Sequence, residues 1–333
     1  MAAKDNVYMR VEHLTTSFKL PHGKKLIAVD DVSFHVNHQE ILGIVGESGS
    51  GKSIMAKSLL QLVPTPGNID SGAVYIEDND ILQYNDKEMR EKVRGTEISM
   101  IFQEPMSALN PSFSVQWQIE EVFKLHTKMT KKERYQKTIE LLQHVNIPDP
   151  EKRMKEYPHQ FSGGMQQRVM IAIALASNPK LLIADEPTTA LDVTVQADIM
   201  DFLEEMRANN GPSILLISHN LNLVTERSDR IMVMYASNIM EIADSRELVK
   251  NPLHPYTIGL MNSVPDIENE GQKITAIPGE LPDLSAERKG CMFCPRCSRA
   301  MPICSEEAPV MREITPGHFC RCHLYGEGGG DNG

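Results

Sequence analysis

The sequence predicts an α/β fold built on a parallel sheet. Three short apolar runs, each bounded by turn or polar residues, are typical of buried parallel strands: residues 180–185, 213–218 and 230–235. A helical pattern separates the first two runs, with apolar residues at the 3.6-residue helical period at Val195, Ile199, Phe202, Leu203 and Met206. Strand, helix and strand in this order imply a right-handed crossover, and therefore an α/β core.

Two further regions accompany that core. Residues 8–13 and 31–36 alternate apolar and polar side chains, as half-buried antiparallel strands do. Residues 20–25, which include Pro21 and Gly23, predict a turn between them. Residues 105–157 carry mainly helical patterning, which predicts a helical insertion between two halves of the core.

Composition narrows the class of protein. The chain has 333 residues, enough for one large domain with an appendage or for two modest domains. Its net charge of −11 argues against a nucleic-acid binder, which usually carries a basic stripe or patch. Apolar runs such as residues 169–176 are too short to cross a bilayer, and no signal segment opens the chain. These features predict a cytosolic protein that reaches a membrane only through a partner.

A glycine-rich loop follows the apolar run at residues 40–45 and precedes a helical pattern. It matches the phosphate-loop consensus G-x-x-x-x-G-K-[ST] with Gly46, Glu47, Ser48, Gly49, Ser50, Gly51, Lys52 and Ser53. The glycines let backbone N–H groups converge on phosphate oxygens, and the following helix N-terminus favours an anion. Lys52 is expected to reach the β- and γ-phosphates, and the Ser53 hydroxyl to bind Mg²⁺. The alternative is a glycine-rich turn without a ligand.

Two acidic residues end the strand predicted at residues 181–184. Asp185 is placed to hold the hydration shell of Mg²⁺, opposite Ser53. Glu186 is placed to orient the attacking water or accept its proton. Strand-end acids that merely face solvent are the alternative, which the upstream phosphate loop disfavours.

The chain resembles the ATP-binding subunits of ABC transporters over most of its length. The resemblance begins at Ser162, Gly163, Gly164, Met165 and Gln166, which look like the ABC signature motif about twenty residues before the acidic strand. Gln103 looks like the family's Q-loop residue, Asp192 its D-loop residue and His219 its switch histidine. Phe18 matches the aromatic residue that stacks on adenine, although a core position is the alternative.

The resemblance implies a RecA-like α/β core with an antiparallel β subdomain, a helical subdomain and a small C-terminal cysteine-rich lobe. It implies that Lys52, Gln103, Glu186 and His219 act in ATP hydrolysis, and that Ser53, Gln103 and Asp185 hold Mg²⁺. The ATP site would include the phosphate loop, Ile54 and Phe18. The signature residues would face the ATP of an opposite subunit, so that two chains complete each other's sites. Met165 and Asn220 depart from the commonest residues at their positions.

A narrower resemblance points to the dipeptide, oligopeptide and nickel importer branch. It rests on residues 104–111, residues 188–196 and the motif His254, Pro255, Tyr256, Thr257. Such an importer has two non-identical ATPase subunits, two membrane permeases and an external substrate-binding protein. The branch implies a peripheral location on the inner face of the cell membrane. A nickel or metal-chelate importer, a soluble ABC ATPase of DNA repair or translation, and a regulatory subunit without turnover are the alternatives.

All six cysteines lie between Cys291 and Cys322, and such clustering indicates a metal or iron–sulfur site more than disulfides. The spacing of Cys291, Cys294, Cys297 and Cys304 suits thiolate ligation of zinc or of an iron–sulfur cluster. Resemblance to the importer branch implies a [4Fe–4S] cluster on Cys291, Cys297, Cys304 and Cys322. Cys294 and Cys320 are additional candidates, and zinc is the alternative.

Domain boundaries follow from these assignments. We expect an ATPase domain over residues 1–250, with its helical subdomain at about residues 105–165. A composition shift at residues 251–255 predicts a C-terminal domain over residues 251–325. Residues 326–333 are glycine-rich, and we expect a disordered tail.

Overall fold

The computed structural model describes residues 6–103, 108–188, 193–263, 277–286 and 288–326. Its contacts divide the chain into two compact units. The first comprises Met1–Val36, Glu40–Leu82 and Ser218–Gly333, and the second Asn37–Gln39 and Gln83–Ile217. No helix within the described residues is both long enough and apolar enough to cross a membrane. The expected tail beyond residue 326 lies outside the described residues, and the domain boundary near residue 250 stays a prediction.

The described elements have the following bounds. The strands are β1 Val7–Lys19, β2 Lys25–Asn37, β3 Ile41–Val45, β4 Gly67–Ile76, β5 Asn79–Asp80, β6 Ile98–Ile101, β7 Leu181–Asp185, β8 Ser213–Ile217, β9 Arg230–Tyr235, β10 Asn238–Asp244, β11 Arg312–Thr315 and β12 His318–Cys320. The helices are α1 Lys52–Leu59, α2 Asp86–Glu88, α3 Val115–His126, α4 Lys131–His144, α5 Pro150–Arg153, α6 Gly163–Leu175, α7 Val193–Ala208, α8 Leu221–Arg227, α9 Ser245–Lys250, α10 Pro255–Asn262 and α11 Ile303–Glu306.

The first unit contains a four-stranded sheet in the order β2-β1-β4-β5. Strand β1 pairs antiparallel with β4, from Met9 opposite Ile76 to Phe18 opposite Gly67. The alternation read from residues 8–13 and 31–36 therefore belongs to β1 and β2, and a short 3₁₀ turn at Pro21–Gly23 lies between these strands. These expectations are confirmed, although both strands are longer than predicted. Strand β4 was missed because its solvent-facing residues leave a weak apolar pattern.

The same unit contains the strands that lead to the phosphate loop and to the C-terminus, in the order β11-β12-β10-β9-β3. Strand β3 runs parallel to β9, with Leu42 opposite Arg230 and Val45 opposite Val233. Helix α8 packs so closely on β3 that a Cβ on Gly43 would lie 2.2 Å from Val224 Cγ1. Only glycine fits there, because no side-chain atom can occupy that gap.

The second unit holds the parallel strands β6, β7 and β8 in that spatial order. Ile98 lies opposite Leu181 and Ile101 opposite Ala184, while Leu181 in turn lies opposite Ser213. All residues of β7 and β8 are buried, as the apolar runs at residues 181–184 and 214–217 predict. Helix α7 connects them, which confirms the predicted strand, helix and strand.

Helices fill most of residues 108–176 in the second unit, as the sequence predicts. Helix α4 begins at a capping box, in which Thr130 Oγ1 accepts from the N–H of Glu133 and the Glu133 carboxylate accepts from the N–H of Thr130. Its apolar face is buried, with Ile139 at 5% and Leu142 at 0% exposure. The helical insertion is confirmed.

Candidate functional site

The phosphate loop connects β3 to α1, as its flanking sequence predicts. Gly49 and Gly51 have φ of 80° and 101°, a region that disfavours side chains. Gly46 is required by space, because a Cβ there would lie 2.1 Å from the carbonyl oxygen of Met234. The N–H of Ser50 donates to the carbonyl of Glu47 at 3.2 Å, which closes a tight turn. The loop is therefore a compact backbone cradle at the N-terminus of an eight-residue helix.

Lys52 is buried at 6% exposure and its ammonium lies within the loop. Its Nζ donates to the carbonyl of Gly46 at 2.7 Å, the carbonyl of Glu47 at 3.0 Å and Ser50 Oγ at 3.3 Å. A charge buried in this way needs such acceptors, since desolvation is costly. Phosphate oxygens are stronger acceptors than carbonyls, so this ammonium is suited to exchange these bonds for an anion.

Glu186 stands immediately after β7 in the second unit. Its backbone is left-handed, with φ of 50°, and its N–H donates to the carbonyl of Ile217 at 2.9 Å. Gln103 Nε2 donates to Glu186 Oε2 at 2.8 Å. The β6–β7 register explains this contact. Ile101 lies opposite Ala184, Gln103 comes two residues after Ile101, and Glu186 comes two residues after Ala184. Asp185, at the end of β7, is 2% exposed.

The predicted signature residues begin helix α6. Ser162 is the N-cap, and its Oγ accepts from the N–H of Met165 at 3.4 Å. Ser162 and Gly163 are exposed, so the start of this helix offers backbone N–H groups to solvent. Gln166 is different, because its side chain is buried and donates to the carbonyls of Pro158 and Phe161. It holds the preceding turn against the helix.

The other predicted residues fall in separate places. His219 is exposed and follows Ser218, whose N–H donates to the carbonyl of Ile44 in β3 at 3.1 Å. Asn220 caps helix α8 by accepting from the N–H of Leu223. Phe18 is partly exposed in β1, and its ring lies against Gly67, where a Cβ would be 2.7 Å from Phe18 Cε1. Asp192 lies outside the described residues.

The six cysteines are free thiols in the first unit. Burial, with smaller effects of Cys304 and Cys322, raises the pKa of Cys291 to about 11. Burial also raises the pKa values of Cys297 and Cys322, and each is raised further by neighbouring thiols that include Cys304. Among the described residues, however, no three or more His, Cys, Asp or Glu side chains are grouped as a metal ion requires. The described residues therefore do not show the expected iron–sulfur or zinc site.

One contact of the phosphate loop was not predicted from the sequence. The N–H of Glu47 donates to the hydroxyl of Tyr256 at 3.0 Å. Tyr256 belongs to the His-Pro-Tyr-Thr motif, which indicated a family branch but did not predict what Tyr256 contacts. No local pattern predicts such a contact, because the two residues are 209 positions apart.

Comparisons with known proteins agree with this geometry. Residues 29–189 match the family described as ABC transporter, and residues 240–304 match the oligopeptide/dipeptide transporter C-terminal region. The chain is 46% identical to the oligopeptide transport ATP-binding protein AppD of Bacillus subtilis, over 97% of this chain and 98% of that protein. The chain belongs to the oligopeptide/dipeptide branch of the ABC transporter family.

Other members of the ABC family extend the comparison. Identity to the oligopeptide transport ATP-binding protein OppD of Escherichia coli is 47%, over 94% of this chain and 92% of that protein. The dimeric structure of MJ0796, a bacterial ABC transporter cassette, matches with a TM-score of 0.64 and 28% identity, over 72% of this chain and 99% of that one. A post-hydrolysis dimer of MJ0796 bound to ADP and Pi matches with a TM-score of 0.63 and 28% identity, over the same shares of both chains. The ABC ATPase fold expected from the motifs is confirmed.

Proposed function

We propose that this chain is the ATP-hydrolysing subunit of an importer of dipeptides or oligopeptides. The assignment of ATP hydrolysis rests on the hydrogen bond between Gln103 and Glu186 at the end of β7, which joins two residues expected at the reaction centre. The relatives AppD and OppD are both named as oligopeptide transport ATP-binding proteins, and they favour peptides over nickel as the substrate class.

ATP binding is assigned to the phosphate loop and its neighbours. Backbone N–H groups of the loop and the ammonium of Lys52 would bind the phosphates, with Ile54 at the start of α1 and Phe18 as the adenine platform. The hydroxyl of Ser53, the amide oxygen of Gln103 and the carboxylate of Asp185 are hard oxygen donors of the kind that Mg²⁺ prefers. Gln103 can use its oxygen there because its nitrogen donates to Glu186. Bound Mg²⁺ would neutralise charge on the phosphates.

Hydrolysis requires a water that attacks the γ-phosphorus, and Glu186 is the proposed base. Its carboxylate would take the water proton as the new P–O bond forms, while the bond from the γ-phosphorus to the bridging oxygen breaks and leaves ADP and phosphate. Gln103 orients that carboxylate, and His219 is assigned to the γ-phosphate. The left-handed backbone of Glu186 is typical of strained residues at functional sites.

The signature residues are assigned to a second nucleotide. Ser162 and Gly163 are exposed at a helix N-terminus, which favours an anion from another subunit. The dimeric MJ0796 cassette supports this pairing. For this chain we propose a second, non-identical ATPase as partner, two membrane permeases and an external substrate-binding protein. The chain would then lie on the inner face of the membrane.

Replacing Glu186 with Gln tests the hydrolysis. We expect steady-state ATPase activity of the assembled transporter to fall at least about 100-fold, since a general base contributes about 10²–10⁴ to a rate. ATP affinity should stay within about threefold, because the amide keeps the shape of the carboxylate. Glu204→Gln, in helix α7, is the matched control for loss of one carboxylate. Brisk turnover by Glu186→Gln would refute the assignment.

A [4Fe–4S] cluster on Cys291, Cys297, Cys304 and Cys322 remains a proposal. Its support is the closeness of these residues: the N–H of Cys291 donates to the carbonyl of Cys304 at 2.7 Å, and the Cys304 thiol contributes to the raised pKa values of Cys291, Cys297 and Cys322. Each thiolate of such a cluster binds a different iron, so the ligands need not crowd around one ion. Absence of a single-ion arrangement among the described residues therefore weighs more against zinc than against the cluster.

Metal analysis after anaerobic purification decides this proposal. We expect about four iron and four sulfide per chain. Cys304→Ser should lose the iron, and Cys294→Ser, in the same segment, should retain it. Stoichiometric zinc without iron would overturn the proposal.

A further inference from the structure

Glu47, the second residue of the phosphate loop, is held at both its backbone and its side chain. Its N–H donates to the hydroxyl of Tyr256 at 3.0 Å. Its carboxylate accepts from Arg296 Nη1, at 3.1 Å on Oε1 and 2.9 Å on Oε2. Arg296 lies 249 residues from Glu47, within the segment Cys294, Pro295, Arg296, Cys297. The loop is therefore anchored by the C-terminal part of the chain as well as by its own turn.

Arg296 has one fixed orientation. Its Nε donates to the carbonyl of Pro278 at 2.8 Å, and its Nη2 to the carbonyl of Ile277 at 3.2 Å. Nη1 also donates to the hydroxyl of Tyr235 at 3.3 Å, and the guanidinium lies 5.6 Å from the centre of that ring. The side chain is only 6% exposed. A buried guanidinium with its donors engaged cannot follow a moving carboxylate, so Glu47 is held where Arg296 places it.

An aromatic cluster supports both anchors. The rings of Tyr235 and Tyr256 are 4.6 Å apart, and Phe293 lies 5.2 Å from Tyr235 and 5.3 Å from Tyr256. All three side chains are buried, and Phe293 directly precedes Cys294. Such edge-to-face and tilted packing restricts the rings to one arrangement. The hydroxyl that meets Glu47 and the guanidinium that meets its carboxylate are therefore fixed relative to each other.

Charge gives the ion pair a consequence for nucleotide binding. A carboxylate in a phosphate-binding loop repels the phosphates, and more strongly where solvent is excluded. Arg296 neutralises that carboxylate and holds it on the side of the loop that faces Ile277, Pro278 and Tyr235. Without Arg296, Glu47 would be free to turn toward the space that the loop encloses.

We propose that Arg296 is a positioning residue for the phosphate loop. Acting through Glu47 and together with Tyr256, it holds the loop in the conformation that accepts ATP. The proposal rests on the proposed function, in that ATP is the ligand of the loop. It makes the cysteine-containing segment a support of the nucleotide site, a role separate from whatever the thiols bind.

Replacing Arg296 with Gln tests the proposal in the full chain. If the accepting conformation falls to about a tenth of the molecules, the Kd for ATP rises about tenfold. In the assembled transporter we expect KM for ATP to rise similarly, while kcat at saturating ATP stays within about twofold, because Arg296 touches no reacting atom. Hydrogen exchange of the peptide covering residues 46–53, measured without nucleotide, should become faster.

Three further variants separate positioning from a general loss of folding. Arg296→Lys keeps the charge but loses the bonds to Ile277 and Pro278, so its Kd should lie between those of the wild type and Arg296→Gln. Arg299→Gln removes the same charge from an exposed side chain three residues away and should leave ATP affinity unchanged. Glu47→Gln combined with Arg296→Gln should be no worse than Arg296→Gln alone, because both act through one contact.

The outcomes are decisive in both directions. A wild-type Kd and wild-type exchange in Arg296→Gln would overturn the proposal, and so would an equal effect of Arg299→Gln or a double variant that binds ATP more weakly than Arg296→Gln alone. If the wild-type chain bound no ATP, the proposed function would fail, and the exchange of residues 46–53 would still decide the positioning by itself.

Discussion

At the scale of single residues, the phosphate loop depends on glycines for two different reasons. Gly49 needs its left-handed backbone but has open space, since the nearest atom to a Cβ there is 4.0 Å away. Gly51 is required for both its backbone and its lack of a side chain, because its φ is 101° and a Cβ would lie 2.2 Å from the carbonyl oxygen of Ala28. The two positions lie in one loop but differ in the physical cost of a methyl group.

Replacing each glycine with alanine measures that difference. Gly49→Ala should lower the free energy of unfolding by about 1–2 kcal/mol, the cost of a left-handed alanine. Gly51→Ala should cost at least about 1 kcal/mol more, because the backbone around Ala28 must also shift. Urea unfolding of the two variants and the wild type provides the measurement. Equal losses would show that the close approach to Ala28 carries no energy.

At the scale of secondary-structure elements, helix α10 begins at a histidine that serves as its cap. His254 Nδ1 accepts from the N–H of Tyr256 at 3.0 Å, so this nitrogen must be unprotonated. The side chain is 1% exposed. Burial lowers the pKa of His254 from 6.5 to about 3, because a charged ring would lose both its solvation and this hydrogen bond.

This cap predicts a specific loss of stability in acid. Between pH 6.5 and about 3 the unfolded chain binds a proton at His254 and the folded chain does not. Stability therefore falls as the pH falls below 6.5, by up to about 1.4 kcal/mol per pH unit. His254→Asn keeps an oxygen acceptor for the cap and does not titrate. The wild-type advantage over this variant should shrink from pH 6.5 to 4.5, as urea unfolding at each pH would reveal. Parallel pH profiles would contradict the prediction.

At the scale of the whole molecule, we propose that the chain carries parts of two nucleotide sites. Lys52 and Glu186 are assigned to one ATP, and Ser162 to the ATP of another subunit. The variant Glu186→Gln should therefore also accumulate an ATP-bound pair with the partner ATPase, seen by light scattering and absent with ADP. Adding Ser162→Arg to that variant should abolish the pair, because a bulky cation replaces the helix cap. A pair that forms without ATP would contradict this view.

The sequence predicted features that depend on neighbouring residues better than features that depend on distant ones. The strand, loop and helix around the phosphate loop and the strand that ends at Asp185 follow from neighbours in sequence, and the structure has them as predicted. The extent of β1 and β2 was underestimated, because a strand continues wherever its partner continues. Strand β4 escaped notice because it is only partly buried.

The sequence by itself determined the order of the motifs, the α/β class and the membership in the ABC family, because local periodicity and fixed motif spacing carry that information. Only the tertiary structure decided that Gln103 meets Glu186, and that Tyr256 and Arg296 hold Glu47. Each of these contacts joins residues more than eighty positions apart. Strand register and side-chain packing set such distances, and neither is encoded in any short stretch of sequence.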